Sequence, residues 1–236
     1  MAFSYAIIFL SLFSARLIQP ELLDHVPPEV ARPNLADLIR INRYFGGHSI
    51  LRSMLQKLVQ PGEEFTLLDV GAASGDSARL IQSWYPAARV FSLDYNFTNL
   101  EAAPRPKVIA DAFALPFPPA SFDFVSSSLF LHHFTNDQVA ELLSVLYKTA
   151  ARACLVSDLE RHIVPYLFLP VTKPIFGWND ITIHDGKLSV RAAFRRQELQ
   201  SIAASAGLTH AEFHVHRPAF RISMIARKNC ATEPRA

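Results

Sequence analysis

Three aspartates and a turn of small residues carry the clearest chemistry in this chain. The segment Leu67-Leu68-Asp69-Val70-Gly71-Ala72-Ala73-Ser74-Gly75-Asp76 reads as a buried strand running into a turn that opens a helix. A ligand can approach the backbone of such a turn closely. Dinucleotide sites share the geometry, and the charges separate the two cases. A pyrophosphate wants bare N–H groups at the helix start, whereas here Asp69 precedes the turn and Asp76 stands at the helix entrance. Two carboxylates repel a pyrophosphate but suit a ligand bearing an ammonium and a sulfonium. Asp76 taken alone reads more readily as a plain helix cap. Asp94, 25 positions after Asp69, closes a second strand, where a carboxylate can accept two hydrogen bonds from a ribose diol. A third strand ends in Asp111-Ala112, an acceptor followed by the apolar run Ala-Leu-Pro-Phe where an adenine edge could lie. His133 and His132, after a fourth strand, and His184 further along are the candidate proton acceptors.

The elements that position these side chains alternate regularly. FTLLDV (65–70), RVFSLD (89–94), PKVIAD (106–111), SFDFVSSS (121–128) and ACLVSD (153–158) read as strands separated by helices. Thr135 with Gln138 forms a capping box for one of those helices. A last helix runs from Phe194 to Gly207, and 209–216 with 219–227 form a hairpin. The order predicts an α/β class: a doubly wound, mostly parallel seven-stranded sheet with right-handed crossovers. Ligands on such sheets bind outside the carboxyl ends of the strands. Ahead of the sheet, apolar spacing predicts helices from Leu35 and from Ile50, giving a helical cap or lid over 1–60 and a main domain over 61–236. Residues 159–192 set Pro165, Pro170 and Pro174 among Tyr166, Phe168, Phe176 and Trp178. The mixture reads as neither helix nor strand, an insertion that walls a substrate pocket.

Composition narrows the classes further. Half of the 236 residues are hydrophobic and 19% are charged, which excludes a disordered chain. The net charge of +2 comes without a basic block or a basic stripe with interleaved aromatics, so no nucleic-acid partner is expected. Cys154 and Cys230 lie outside any metal or redox spacing, which sets a reducing, cytoplasmic compartment as the expectation. The opening MAFSYAIIFLSLF is too short to span a bilayer and has no basic residue before Arg16 to make it a secretory signal. It reads as a helix on the core, a surface anchor or an upstream start; a non-secreted chain is expected, with residues 1–13 the one segment through which membrane contact is possible.

With those residues assembled, the chain resembles the class I S-adenosylmethionine-dependent methyltransferases, in which a strand ends in Asp before Gly-x-Gly-x-Gly. Here the pattern stands as Asp69, Gly71, Ala73 and Gly75. The LPF before SFDFV and the His-His-Phe after the fourth strand are also similar to the family. The resemblance covers about residues 60–227 and implies the Rossmann-like methyltransferase fold with S-adenosyl-L-methionine as cofactor. It further implies that Asp69 and the Gly71–Gly75 turn cradle the methionine part, that Asp94 with Tyr95 beside it meets the ribose, and that Asp111 and Ala112 meet the adenine. The stretch Asp37–Gly47 is similar to a helical lid in bacterial small-molecule members, where Arg43 could pair with the cofactor carboxylate. At Ala73 the middle glycine is replaced, a change the turn accepts if φ is negative. His184-Asp185-Gly186 is similar to a segment of methyltransferases of quinone and polyketide pathways.

The acceptor is read by elimination. The place of the Asn/Asp-Pro-Pro-aromatic motif of base-modifying relatives holds Ser126-Ser127-Ser128-Leu129. Of the three carboxylates of catechol-type metal sites, only Asp158 has a counterpart, so no metal is expected. Small molecules or a protein side chain remain, and a phenol or quinol oxygen of a small hydrophobic acceptor is preferred over a ring carbon. A general base for it is sought at His133 first, then His132 and His184. A nicotinamide oxidoreductase and a cofactor-binding scaffold are the rival classes, and the oligomeric state is left open.

Overall fold

The computed structural model describes residues 13–228. Seven strands form one sheet: β1 (Phe65–Val70), β2 (Ala88–Asp94), β3 (Lys107–Ile109), β4 (Phe122–Ser128), β5 (Ala150–Leu159), β6 (Glu212–His216) and β7 (Arg221–Arg227). Their spatial order is β3-β2-β1-β4-β5-β7-β6. The first five are parallel, and β7 runs antiparallel to both β5 and β6. The order reverses between β1 and β4, so a crevice opens at their carboxyl ends.

Helices cover both faces. In chain order they are α1 (Pro28–Tyr44), α2 (Gly47–Gln56), α3 (Asp76–Trp84), the short α4 (Phe97–Leu100), α5 (Asn136–Thr149), α6 (Ile163–Phe176), α7 (Asp180–Ala192) and α8 (Arg196–Ser205). Single 3-10 turns stand at Leu22–His25 and Leu131–His133. β1 is an apolar run because both of its faces are covered: Leu67, Leu68 and Val70 are fully buried. One core layer packs Leu142, Leu143 and Leu146 of α5 and Leu199 of α8 under the sheet, and the other packs Leu51 and Leu55 of α2 with Ile81 of α3 above it. The capping box at Thr135 and Gln138 is present.

The region 159–192 departs from the sequence reading. After β5 it folds into α6 and α7, with Pro170 and Pro174 inside α6. Pro165 falls in the first turn of α6, where no N–H is needed. Each inner proline withholds one hydrogen bond, yet the helix persists because Leu169 is buried against α7 and Phe168 packs edge-on against Phe45 at 4.6 Å. Tertiary packing here overrides the local breaker signal.

Candidate active site

The turn after β1 has an unusual backbone. Gly71, Ala73 and Gly75 all take positive φ, at 72°, 44° and 70°. A Cβ on Gly71 would stand 2.6 Å from the Phe130 ring, and one on Gly75 would stand 2.6 Å from the Ala103 Cβ. The condition under which the turn would readily accept Ala73, a negative φ, is not met: the residue is left-handed despite its methyl group. Its N–H donates to Asp94 Oδ2 at 2.9 Å, while Asn96 N–H donates to Asp94 Oδ1 at 2.9 Å. Asp94 thus ties the turns after β1 and β2 together, and each of its oxygens keeps a lone pair for a further donor.

Asp69 lies beneath this turn, 2% exposed. Burial pushes its carboxyl up to about 7. Asp76 and Asp94 add to the rise, and Ser126 Oγ opposes it by donating at 2.9 Å. A recess of about 120 Å³ beside it is lined by Asp69, Gly71, Ala73, Asp76 and Ser128. Asp76 opens α3 and pairs with His48 Nε2 of α2 at 2.6 Å.

A cavity of about 1060 Å³ adjoins that recess across Gly71 and Ala73. Asp94, Tyr95 and Arg43 line it, as do Glu21, His132 and His133. Phe45, Phe130, Phe134, Phe168 and Phe220 contribute aromatic wall. Asn34 also lines it, with an Oδ1 that is buried and finds no donor among the described residues.

The adjacent histidines occupy different electrostatic settings. His132 Nδ1–H donates to Asp158 Oδ1 at 2.7 Å, and the His132 backbone N–H donates to Asp158 Oδ2 at 3.2 Å. That bond fixes the tautomer and leaves Nε2 with a lone pair, 3.9 Å from Glu21 Oε1. Burial pulls the His132 pKa down, but the Asp158 charge and hydrogen bond, with Glu21, outweigh it and raise the imidazole above its ordinary 6.5. Asp158, wholly buried at the end of β5, is held below its usual range: burial pushes up, and His132 with the Leu159 N–H pulls down further. His133 is driven down to about 3, by burial first and then by its neighbour His132, whose ring centroid lies 4.3 Å away.

Other predicted residues stand apart from the cavity. His184 is absent from its lining and half exposed; on α7 it faces outward, its Nδ1 3.0 Å from Asp185 Oδ1, while Asp185 turns inward. Asp185 takes the N–H groups of Leu22 and Leu23, at 2.9 and 3.0 Å, and so anchors the first 3-10 turn. Asp111 Oδ1 accepts from Phe113 N–H at 2.9 Å, and neither Asp111 nor Ala112 lines the cavity. Gly75 shapes the turn from outside it. Sequence reasoning missed the pairing of Asp158 with His132, although Asp158 stands near the carboxyl end of β5 and His132 follows that of the neighbouring β4. It also missed Glu21, which a segment anchored through Arg16 carries in: Arg16 donates to the carbonyls of Ala192 and Phe134 at 2.6 and 2.9 Å. Glu21, His132 and His133 bring donor atoms within 4.8 Å of one another, a grouping outside the strand-end positions weighed for a metal.

A family model described as a methyltransferase domain matches residues 68–152, the span from β1 through α5 into β5. No curated protein matches the chain by sequence. Among solved structures, the plantazolicin methyltransferase BpumL in complex with S-adenosylhomocysteine aligns at a TM-score of 0.66 and 10% identity, covering 85% of this chain and 90% of that one. A protein of Aquifex aeolicus described as an S-adenosylmethionine-dependent methyltransferase aligns at 0.54 and 14% identity, covering 75% and 88%. One of Nostoc punctiforme, provisionally described as an O-methyltransferase, aligns at 0.56 and 19% identity. That match covers 76% of this chain but only 56% of the Nostoc protein's own length.

Proposed function

We propose that the chain, whose residues 68–152 match a methyltransferase domain, is a class I S-adenosylmethionine-dependent methyltransferase that methylates an oxygen, of phenol or quinol type, on a small hydrophobic acceptor held in the large cavity. One observation carries the reading: His132, backed by buried Asp158, faces the same cavity as Asp94 and the Gly71–Ala73 turn. The residues present suit the cofactor. Asp69 and Asp76 offer negative charge beside the small recess, Gly71 admits close approach, and Asp94 keeps acceptor capacity for a diol. Bound there, S-adenosyl-L-methionine supplies an electrophilic methyl carbon on its sulfonium.

The chain's own part is to position the acceptor and to take its proton. Holding two reacting groups in line is worth up to ~7–11 kcal/mol. A phenol ionises near 10, so a base at its oxygen adds ~10²–10⁴-fold. Nδ1 of His132 stays bonded to Asp158, so Nε2 is the atom that receives the proton, and the carboxylate steadies the imidazolium that forms. His133, neutral down to about pH 3, is a weaker base and an apolar neighbour to the acceptor ring.

His132→Ala tests this assignment. Turnover is expected to fall ~10²–10⁴-fold while S-adenosylhomocysteine binds as in the parent, and His133→Ala keeps near-parental rates. In the parent, kcat rises with pH through a value above 6.5, and the His132 variant lacks that limb. A loss that follows His133 instead would overturn the assignment of the base.

A further inference from the structure

A buried cation stands on the wall of the large cavity without an anion of its own. Arg221 opens β7 and is 2% exposed, and it lines the cavity together with its strand partners, Leu159 on β5 and His216 on β6. Among the described residues its guanidinium makes a single hydrogen bond, from Nη2 to Asn42 Oδ1 at 2.9 Å, and no ion pair. A guanidinium carries five N–H groups in a planar fork, so Nε and Nη1 are left without a protein acceptor. Neither atom is sealed off, as Arg191 Nε is, so their N–H groups open on the cavity that the residue lines. Burying a charge is costly unless a partner supplies the opposite one. Burial pulls the Arg221 pKa down to about 10 against the pull of Asp158, and the group stays cationic at neutral pH.

The carboxylates around it are already committed. Asp158, whose charge acts on Arg221, accepts from His132 and from the Leu159 N–H. Its one negative charge balances the imidazolium that forms on His132 and leaves none for a second cation. Glu160 accepts from Arg217 at 2.7 Å. On the cavity wall, Asp94 ties the turns after β1 and β2, Asp185 holds the first 3-10 turn, and Glu21 accepts from Ser189. Arg43 also lines the cavity, but it is exposed, so water serves its charge. The place of Arg221 in the sheet sets it apart from the cofactor recess. Three strand spacings of about 4.8 Å separate β7 from β1, and Arg221 is absent from the recess beside Asp69 and Asp76. It stands next to β5, which carries the aspartate behind the base.

We propose that the Arg221 guanidinium holds a carboxylate of the acceptor, so that the acceptor is an aromatic acid with its phenol oxygen at His132 and its acid end at β7. The acid supplies the missing anion: with it bound, Arg221 is paired with the acceptor and His132 with Asp158. A planar guanidinium matches a carboxylate through two parallel hydrogen bonds, which also fixes the direction of the ring in the cavity. The inference rests on the reading that this cavity takes a phenolic acceptor.

The test uses the full chain, in the presence of S-adenosylhomocysteine, with a panel of hydroxybenzoates and hydroxycinnamates, each paired with its primary amide. Calorimetry is expected to show the parent binding the acids roughly 10–100-fold more tightly than the amides, the worth of hydrogen bonds to a charged group. Arg221→Gln brings that ratio to about one. Arg221→Lys keeps the charge, loses the fork and falls between the two, and it carries the test if the Gln variant does not fold. A merely structural arginine would leave the ratio where it is. S-adenosylhomocysteine binds all three chains alike. A parent that binds acid and amide equally, or binds neither, overturns the proposal, as do Arg221 variants that keep the parental ratio. If those variants instead lose S-adenosylhomocysteine, the guanidinium holds the cofactor's carboxylate and the proposal falls. Methyl transfer to the acid oxygen rather than to the phenol overturns it too. A parent that prefers the acids but transfers no methyl group from S-adenosyl-L-methionine to the phenol oxygen sinks the proposed function and leaves the role of Arg221 standing.

Discussion

Replacing Asp69 by Asn separates the stability of the empty fold from its hold on the cofactor. The Asp69 carboxyl is buried and pushed up to about 7 from an ordinary 3.8. A raised acid binds its proton more tightly in the folded chain than in the unfolded one, so stability falls as pH climbs from about 4 to about 7. At about 1.36 kcal/mol per pH unit, that gap costs about 4 kcal/mol once the pH exceeds 7. Asn keeps an oxygen for the Ser126 hydroxyl and never ionises. With roughly 2–4 °C of Tm per kcal/mol in a chain of this size, the variant is expected to melt about 10 °C above the parent at pH 8. The difference shrinks by more than half at pH 5. The cofactor reverses the sign. An ammonium beside Asp69 favours the carboxylate, so S-adenosylhomocysteine binding to the parent tightens as pH rises through about 7 and releases a proton below it. The variant lacks the charge and binds about 10–100-fold more weakly, the worth of a hydrogen bond to an ionised group. Differential scanning calorimetry across pH, with titration calorimetry in two buffers of unlike ionisation enthalpy, reads both effects. An Asn variant that melts below the parent at pH 8, or that binds with parental affinity, refutes the reasoning.

Ala73→Gly relieves a left-handed φ of 44° that costs a residue with a Cβ about 1–2 kcal/mol, part of which the freer unfolded glycine returns. A net gain of about 0.5–1 kcal/mol, seen as a Tm higher by roughly 1–4 °C with unchanged cofactor affinity, is expected; a lower Tm would show that the methyl group's packing outweighs its strain. Chelation with EDTA is expected to leave turnover unchanged, since proton transfer at His132 needs no cation. Activity lost to EDTA and restored by a divalent ion would move Glu21, His132 and His133 from proton transfer to metal binding.

Much of the scaffold is legible in the sequence because local signals agree with the fold. Buried parallel strands read as apolar runs ending in Asp69, Asp94 and Asp158, and the Thr135 box starts its helix where the pattern puts it. The prediction fails at α6, where three prolines dominate the local signal. What stabilises that helix is non-local: Leu169 lies so close to Gly186 of α7 that a Cβ there would stand 2.4 Å from it. A side chain at 186 would have to displace the tip of Leu169 from this contact. The glycine of His184-Asp185-Gly186 thus has a packing role that its motif does not display.

The candidate site shows the same division. The recess and the turns after β1 and β2 are built from strand ends, so the neighbourhood of Asp69, Gly71 and Asp94 follows from sequence order. The surroundings of the two histidines are built from contacts between distant segments. His132 and His133 are indistinguishable in sequence, and their roles part only because Asp158, 26 residues on, reaches the imidazole of one of them. Glu21 comes from still farther away. Its carboxylate is bonded by the hydroxyl of Ser189 and stands by His132 Nε2, and the segment that carries it is fixed by Arg16 on the 3-10 turn that holds both histidines. The strap of residues 13–21 therefore joins α6 through Phe13 and Tyr166, the histidine turn through Arg16, and His132 Nε2 through Glu21. The setting of His132 therefore depends on a segment 116 positions away in sequence, which no local pattern displays.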